Sequence, residues 1–416
     1  MTKVYYRYAL LLALSYLLLA CGNPADDFRR GYADAGTARS ADSDDTEQLP
    51  TDRWTYIEVD SAKTMWGDYD SPDWLRYFGL AAGDLNGDGY LDIVTGRNVY
   101  LNAGDSMTGS WRKLDLGRNV DANLIIDYQD RPAILAEALP DVVLFTGNAD
   151  GTDWTEQRIV AQVPATGHHN GQGYKVADVF AEHGDEEVIY ASLGGLYILD
   201  PSTPEPWTVT LAGKDASDEG FGVADIDGDG DLDLISGFRT EGGDPEVPTV
   251  VVWFENPGTI TPNWTRHEIG TTVHATDRVE AADLNGDGKT DVVVAEERYP
   301  GLEPDASLFA YLQQDTGWVR TKVVTQYSMN NLSLPDLNQD GYADIVTSEH
   351  KGPGLSLQVW LNDGGANFTR QEIDGGKESH LGAQPYDLDG DGDLDLISIG
   401  WDQHQYVHVW RNDAIQ

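Results

Sequence analysis

Five short segments of the sequence share one arrangement of oxygen-bearing side chains. Each places a carboxylate or an amide at positions 1, 3, 5 and 9 and a glycine at position 6. Calcium takes about six to eight oxygens at flexible geometry, and a tight loop can offer them from alternate residues. The glycine permits the sharp turn, and the main-chain carbonyl of residue 7 adds a ligand. The spacing therefore predicts about five bound Ca²⁺ ions.

An aspartate-rich turn can also be satisfied by its own backbone amides, without a metal. The four side-chain positions of the five loops contain 17 aspartates, which would repel one another without cations. We therefore favour metal binding and expect it to be linked to folding. The predicted ligands, with residue 7 acting through its carbonyl, are Asp84, Asn86, Asp88, Tyr90 and Asp92; Asp225, Asp227, Asp229, Asp231 and Asp233; Asp283, Asn285, Asp287, Lys289 and Asp291; Asp336, Asn338, Asp340, Tyr342 and Asp344; and Asp387, Asp389, Asp391, Asp393 and Asp395.

The calcium motif belongs to a longer repeat. Weaker copies begin at Asp127 and Asp178, where the first aspartate and the following apolar strand are kept but the middle is not. Seven units result, spaced 43 to 58 residues apart. A second marker, an aromatic residue that opens a strand of period two, accompanies each unit. Its seven members are Trp54, Trp111, Trp154, Trp207, Trp264, Trp318 and Phe368.

Each unit has room for four short strands, and seven such units predict an all-β, seven-bladed β-propeller of four-stranded blades. The phase of the repeat predicts how the ring closes. The chain starts with a strand of the fourth type at 54–59 and ends with a strand of the third type at 410–413. Pairing these two strands would hide both edges. We therefore expect the N-terminal strand to complete the last blade.

The loop Asp-x-Asp-x-Asp-Gly-x-x-Asp before an apolar strand resembles the FG-GAP/VCBS repeat family, which shares the propeller of integrin α-subunit heads. The resemblance covers about residues 54–413. It implies a seven-bladed propeller with calcium loops. It implies no single activity, because such propellers serve adhesion, carbohydrate binding and some lyase or dehydratase chemistry. The units at Asp127 and Asp178 depart from the pattern, so we assign them no calcium ligands.

The first residues resemble a targeting segment. Lys3 and Arg7 precede an apolar run at 9–20, which is too short to span a membrane and is typical of a signal peptide. The run ends in Leu-Leu-Ala-Cys, which resembles the bacterial lipobox and implies lipidation of Cys21, although a secretory signal with a chance cysteine would look similar. We predict a lipoprotein signal peptide at 1–20, a disordered acidic tether at 21–50 and the propeller at 51–416.

This organisation predicts a protein held in the cell envelope by a lipid on Cys21. A glycine at position 22, where aspartate is absent, implies by the same resemblance the outer membrane of a Gram-negative cell, with the propeller periplasmic or surface-exposed. The formal net charge of −44 disfavours nucleic acid as a partner, because its phosphates would be repelled. The chain has one cysteine, so no intramolecular disulfide can form.

In an up-and-down blade, the calcium loops occupy one face, and the connections at the other ends of the strands share the opposite face, here called the ligand face. Six of nine histidines map to it: His168, His169, His274, His350, His380 and His404.

Positions −9, −7 and −5, counted back from the first aspartate of each motif, share one side of the innermost strand. Position −5 is mostly glycine, and we expect Arg278 and Asn331, which replace glycine there, to project into the space that the glycines leave. The candidate ligand-face residues are Tyr77, His169, His274, Arg278, Asn331, His350, His380 and Trp401.

Three functions remain open for this face, and its histidines could also be there only because loops are polar. A binding module would hold an oxygen-rich, often anionic glycan by aromatic stacking and arginine, or would hold an envelope or surface protein. A polysaccharide lyase or sugar dehydratase would use histidine and tyrosine as acid and base, and a histidine cluster could instead hold Zn²⁺. A purely structural propeller would need neither a ligand-binding site nor a catalytic site at this face. We favour the binding module, because no compact catalytic motif appears.

Overall fold

The computed structural model describes residues 48–64, 78–165, 171–180, 186–238, 250–298, 301–379 and 381–415. In this part of the chain, every regular element is a β-strand, and the strands form seven antiparallel sheets. None of the described segments forms a helix that is long and apolar enough to cross a membrane. The all-β prediction is therefore confirmed.

Six of the sheets contain four strands, as predicted for each blade. Blade 1 consists of β2 (Ala81–Gly83), β3 (Asp92–Thr95), β4 (Asn98–Leu101) and β5 (Arg112–Asp115); blade 2 of β6 (Asp121–Asp127), β7 (Pro132–Ala138), β8 (Asp141–Thr146) and β9 (Glu156–Gln162); and blade 3 of β10 (Gly173–Ala177), β11 (Glu187–Ser192), β12 (Gly195–Asp200) and β13 (Thr208–Lys214). Blade 4 consists of β14 (Gly222–Ala224), β15 (Asp233–Phe238), β16 (Val250–Glu255) and β17 (Thr265–Thr271); and blade 5 of β18 (Ala275–Ala282), β19 (Asp291–Glu297), β20 (Ala306–Gln313) and β21 (Trp318–Gln326). Blade 7 consists of β25 (Leu381–Tyr386), β26 (Asp395–Ile399), β27 (Val407–Asn412) and β1 (Trp54–Asp60).

Blade 6 differs in its innermost segment. Its regular strands are β22 (Ile345–Ser348), β23 (Leu357–Asn362) and β24 (Phe368–Asp374). The innermost segment pairs with the region of β22 only through two isolated bridges. A side chain replaces part of the ladder, because Ser348 donates its N–H to Oδ1 of Asn331 at 2.6 Å. Pro335 also removes a main-chain donor from this segment.

Seven apolar clusters fill the spaces between neighbouring blades. The cluster between blades 2 and 3 contains Leu135 and Tyr190, and the cluster between blades 7 and 1 contains Ile397 and Ile93. The other clusters join the remaining neighbours in turn, so the sheets form a closed ring. Each sheet packs on both faces, which explains why second and third strands such as β11 and β12 are buried along their whole length.

The first strand closes this ring. β1 pairs antiparallel with β27, which places Trp54 opposite Asn412 and Glu58 opposite His408. The sheet order β1-β27-β26-β25 makes β1 the outermost strand of blade 7. The prediction from the phase of the repeat is therefore confirmed. Both strands at the seam gain a hydrogen-bonded neighbour.

A buried histidine lies at this seam. Nδ1 of His408 is 2.9 Å from the hydroxyl oxygen of Tyr56 on β1, and the ring centroids of Tyr406 and Trp410 are each 5.4 Å from the imidazole centroid. Nε2 of His408 has no hydrogen-bond partner among the described residues. Burial, together with the charge of Lys377, lowers the pKa of His408 from 6.5 to about 4. The closed seam therefore holds this histidine in its neutral form.

Acid should weaken the seam through His408. Between pH 6.5 and about pH 4, the unfolded chain binds a proton on this histidine that the folded chain does not. The free energy of unfolding that the neutral histidine contributes is therefore complete above pH 6.5 and is lost as the pH falls through this window. At roughly 1.4 kcal/mol per pKa unit, the loss is at most about 3 kcal/mol. His408→Gln keeps an acceptor for Tyr56 and does not titrate. Urea unfolding at neutral and mildly acidic pH should show a smaller loss of unfolding free energy for this variant than for the wild type. Equal losses would show that His408 is not the source of the acid sensitivity.

The innermost strands also bond across the axis of the ring. The hydroxyl of Tyr174 on β10 reaches blade 1, where it donates to the carbonyl of Phe78 at 2.8 Å and accepts the N–H of Leu80 at 3.0 Å. Nζ of Lys175, also on β10, lies 2.7 Å and 2.8 Å from the two carboxylate oxygens of Glu280 on β18. Each of these contacts skips one blade. Side chains therefore cross the centre of the ring at this level.

Candidate functional site

The five loops with the predicted calcium motif, here called the calcium loops, connect the innermost and second strands of blades 1, 4, 5, 6 and 7. In the first loop, Asp84 accepts hydrogen bonds from the N–H groups of Gly87 at 2.7 Å and Gly89 at 3.0 Å, and Asn86 accepts the N–H of Asp88 at 2.9 Å. The first aspartate of each other loop also accepts the N–H of the glycine at position 6. This glycine has φ between 81° and 99° in all five loops, which explains why the turn requires glycine.

The aspartate at position 9 is buried beneath each loop. In the first loop, Oδ2 of Asp92 accepts the N–H of Leu85 at 3.0 Å, and Oδ1 accepts the N–H of Asn102 at 2.8 Å. The carboxylate thereby joins the loop to the end of the third strand. The same pair of bonds recurs at Asp233, Asp291, Asp344 and Asp395. Each carboxylate oxygen keeps a further lone pair, so this residue can still act as a ligand while the backbone holds it in place.

The side-chain oxygens converge as an ion site requires. In the loops that begin at Asp225 and Asp387, the carboxylates at positions 1, 3 and 5 place oxygens within 4.8 Å of one another. Burial and the charge of Asp391 raise the pKa of Asp389 to about 6. A cation among these carboxylates would offset their repulsion. The donors are all oxygens, which suits calcium, and the ion would supply a structural crosslink within the loop.

Sequence reasoning missed a second set of residues that secures the loops. An asparagine or glutamine is the last residue of the third strand, or directly follows it, in each of these five blades: Asn102, Asn256, Gln313, Asn362 and Asn412. In four of them, the side-chain amide donates to the position-2 carbonyl of the preceding blade, as Asn362 does to Leu284 at 2.8 Å. The recurrence of this amide after an apolar third strand was the available signal. In these four blades, the amide links the end of the third strand to the connection between the first two strands of the preceding blade.

The two divergent units form different connections. In blade 2, a tight turn joins β6 and β7, closed by a hydrogen bond from the N–H of Tyr128 to the carbonyl of Arg131 at 2.8 Å. In blade 3, the buried carboxylate of Glu187 accepts the N–H of Val179 at 2.9 Å. Glu187 thereby takes the structural place that the position-9 aspartate has elsewhere. In sequence, neither connection repeats the spacing of oxygen-bearing side chains found in the five loops.

Part of the predicted ligand face lies outside the described residues, and so does the predicted lipidation site. These positions are Cys21, Tyr77, His168, His169 and His380, together with the predicted signal peptide at 1–20 and all but the end of the tether at 21–50. The remaining candidates can be placed in the fold. Among them, His274 is half-buried, and its main-chain N–H donates to Oε1 of Glu296 at 2.8 Å.

Arg278 occupies the space beside a glycine, as predicted. A Cβ added to Gly220 would lie 2.6 Å from Cδ of Arg278. The arginine is 8% exposed, with Nη1 3.4 Å from Oδ2 of Asp277 and 3.7 Å from Oε2 of Glu219. Nη2 has no hydrogen-bond partner within the described ranges. Arg278 is therefore held between two carboxylates and does not project as an isolated cation.

The other placed candidates are held in separate contacts. Asn331 is buried, and its side chain bonds to serines of blades 6 and 7. Nδ1 of His350 lies 3.0 Å from Oε1 of Glu378, and both side chains are buried. Trp401 stacks on Phe78 with ring centroids 4.6 Å apart and stays half-buried. The structure thus distributes these residues around the face and pairs several of them with neighbours.

Buried carboxylates are a large part of the ligand face. Sequence reasoning overlooked them because it centred on histidine and arginine. Asp121, Glu219 and Asp277 each stand six residues before the first aspartate of their units, next to position −5. Glu137 is also fully buried, and burial followed by the charge of Asp121 raises its pKa well above the usual range. An acidic residue recurring at position −6 was the signal that could have revealed them.

Three solved structures are similar to this chain at low sequence identity. An Agrocybe aegerita lectin, described by its specific recognition of non-reducing terminal N-acetylglucosamine, is 18% identical over 72% of this chain and 80% of its own, with a TM-score of 0.44. The Dos1 propeller is 11% identical over 86% of this chain and 95% of its own, with a TM-score of 0.47. The Myceliophteria thermophila Cps50 (Swd1) β-propeller domain is 11% identical over 86% and 99%, with a TM-score of 0.44. No curated protein matches the sequence significantly.

Family models match the repeats themselves. The FG-GAP-like repeat matches residues 225–294 and 336–398, and the FG-GAP repeat matches residues 77–106. Together these ranges contain all five calcium loops predicted from the sequence. The seven blades and the matched repeats identify the chain as a seven-bladed β-propeller that contains FG-GAP repeats.

Proposed function

We propose that this protein is a calcium-stabilised binding module of the cell envelope, with a glycan as the ligand of its ligand face. Calcium in the five loops would stabilise one end of the ring, which leaves the opposite end for recognition. A lipid on Cys21, with the tether at 21–50, would hold the propeller at a membrane. The carbohydrate is the part of the proposal that depends on the ligand face.

The observation that carries the glycan proposal is a mixed set of buried donors and acceptors at this face. Nη2 of Arg278 is a donor, Oδ1 of Asn98 is an acceptor and the hydroxyl of Thr95 can be either. In the described part of the chain, none of these three buried atoms has a hydrogen-bond partner. Buried polar groups normally find partners. Sugar hydroxyls both donate and accept, so a hydroxyl-rich ligand suits both kinds of group.

The charge of the face favours a neutral glycan over the anionic one expected from its arginines. Glu219 and Asp277 lie beside the guanidinium of Arg278, so its positive charge is already balanced within the protein. A uronate carboxylate placed there would face both of these acids, which would weaken its binding. The half-buried indole of Trp401 is a candidate stacking platform for a sugar ring.

Glycan retention by the full chain in detergent tests the proposal. Affinity electrophoresis through gels that contain neutral, amino or acidic polysaccharides should retard the wild type. Arg278→Met should bind about tenfold more weakly, because it removes a charged hydrogen-bond donor. Thr95→Val is a milder probe that removes one hydroxyl. Arg112→Met, an exposed arginine on β5, is the matched control and should bind as the wild type does.

Several outcomes would overturn the glycan proposal. A folded wild-type chain that no polysaccharide retards would contradict it, and binding of an envelope protein by that same chain would assign a protein ligand. Equal losses in Arg278→Met and Arg112→Met would show that the retention does not involve the ligand face. Release of an unsaturated product that absorbs ultraviolet light would instead assign lyase activity.

A further inference from the structure

Three carboxylates converge at the ligand face, far from the five loops. Glu219 precedes β14 in blade 4, Asp277 lies on β18 and Glu297 ends β19 in blade 5. One oxygen from each lies within 4.8 Å of the others. Asp277 is 1% exposed, Glu219 is also buried and Glu297 is half-buried. Carboxylates this close and this shielded from water repel one another strongly unless a cation lies among them.

Arg278 lies beside two of these carboxylates but donates hydrogen bonds to main-chain carbonyls. Its Nε and Nη1 donate hydrogen bonds to the main-chain carbonyls of Asn330 and Asp277, both at 3.1 Å. Its approaches to the carboxylate oxygens of Asp277 and Glu219, at 3.4 Å and 3.7 Å, are longer than good charge-assisted hydrogen bonds. A divalent cation bound directly by the carboxylates would attract them more strongly than these long contacts do.

A neighbouring amide independently points to a ligand. Asn330 is 1% exposed, and its Nδ2 donates to Oδ1 of Asp277 at 3.1 Å. This bond fixes the orientation of the amide, because only the NH₂ group can face a carboxylate oxygen. The amide oxygen is left buried beside the cluster without a hydrogen-bond partner in the described segments. An unsatisfied buried acceptor is costly, and a bound cation would satisfy it.

We propose that Glu219, Asp277 and Glu297, with the amide oxygen of Asn330, bind one divalent cation that bridges blades 4 and 5 at the ligand face. The donors are all oxygens, so the site would prefer a hard cation. Its buried ligands leave little room for retained water, which favours Ca²⁺ over Mg²⁺. This ion is separate from the five in the loops. The proposal does not depend on the glycan.

Counting ions per chain tests this site. Purified full chain is equilibrated with Ca²⁺, passed through a desalting column, and assayed for calcium and protein. Asp277→Asn and Glu297→Gln should each retain one ion fewer than the wild type. Asp229→Asn, in a calcium loop, should also lose one ion, and Asp229→Asn/Asp277→Asn should lose two. Glu268→Gln neutralises an exposed carboxylate on β17 and should keep the full number.

The inference is overturned if Asp277→Asn and Glu297→Gln both retain the wild-type number of ions, because the cluster would then bind no cation. Circular dichroism in saturating Ca²⁺ shows whether Asp277→Asn still folds. If it does not, Glu297→Gln decides the result, since Glu297 lies at a strand end and is less buried. All counts are made without glycan, so this outcome is separate from failure of the glycan proposal.

Discussion

Chelation of calcium should lower the melting temperature of this protein by about 20 °C. An ion present at 100 times its Kd stabilises the native state by about 2.7 kcal/mol per site, so five loops would contribute about 13 kcal/mol if their effects add. That is comparable to the whole stability of an ordinary domain, about 5–15 kcal/mol. For a ring of this size, 1 kcal/mol corresponds to roughly 1.5 °C. Thermal unfolding followed by circular dichroism, in EGTA and in millimolar Ca²⁺, measures the shift.

Single loops should each account for a share of this effect. Asp229→Asn removes one carboxylate from the loop in blade 4 and should lower the melting temperature in Ca²⁺ by about 4 °C, one fifth of the whole shift. Asp130→Asn changes an exposed aspartate in the turn of blade 2 and should have no effect. A melting temperature that EGTA leaves unchanged would show that the backbone amides alone satisfy the aspartates of the loops.

Lys175→Met should destabilise the protein by about 3 kcal/mol at neutral pH. The change removes the ammonium that contacts both carboxylate oxygens of Glu280 near the ring axis. Burial raises the pKa of Glu280 even while Lys175 opposes the shift, so the pKa should rise further in the variant. Urea unfolding at pH 7 measures the loss. Lys322→Met, an exposed lysine on β21, is the control and should change little.

The cost of Lys175→Met should shrink in acid. Glu280 has a folded pKa above its usual value of 4.5, so in the variant the folded chain takes up a proton before the unfolded chain does. Stability therefore rises as the pH falls through the folded pKa, and the gap to the wild type narrows. Lys175→Met/Glu280→Gln should recover much of the stability at pH 7. A gap that does not vary with pH would show that Glu280 is not the source of the cost.

The repeat predicted the fold because each blade carries its own local signals. In blade 5, the motif at Asp283 marks the turn after the innermost strand, and Trp318 opens the fourth strand, as the structure shows. The phase of these signals was enough to predict that 54–59 completes blade 7. The irregular innermost segment of blade 6 was not predicted, because Asn331 uses its side chain in place of ladder bonds.

The ligand face was predicted only in part. The glycines at position −5 correctly indicated where Arg278 would fit, beside Gly220. Its carboxylate partners, Glu219 and Asp277, stand at position −6 of two different units. A periodic pattern along one strand shows which residues share a side, but it does not show which residue of the next blade they meet. For that reason the arginine was expected to be free for a ligand.

By itself, the sequence determined the number of blades, the positions of the five aspartate-rich loops for which we predict calcium, and the strand that closes the ring. Each of these features depends on residues within one repeat or on the order of the repeats, so the spacing of residues along the chain is enough to predict it. Only the tertiary structure decided which charged and polar groups meet, such as Lys175 with Glu280, 105 residues apart, and Tyr56 with His408, 352 residues apart. A closed ring brings distant strands together at its axis and at its seam, where the length and direction of the side chains determine which groups meet.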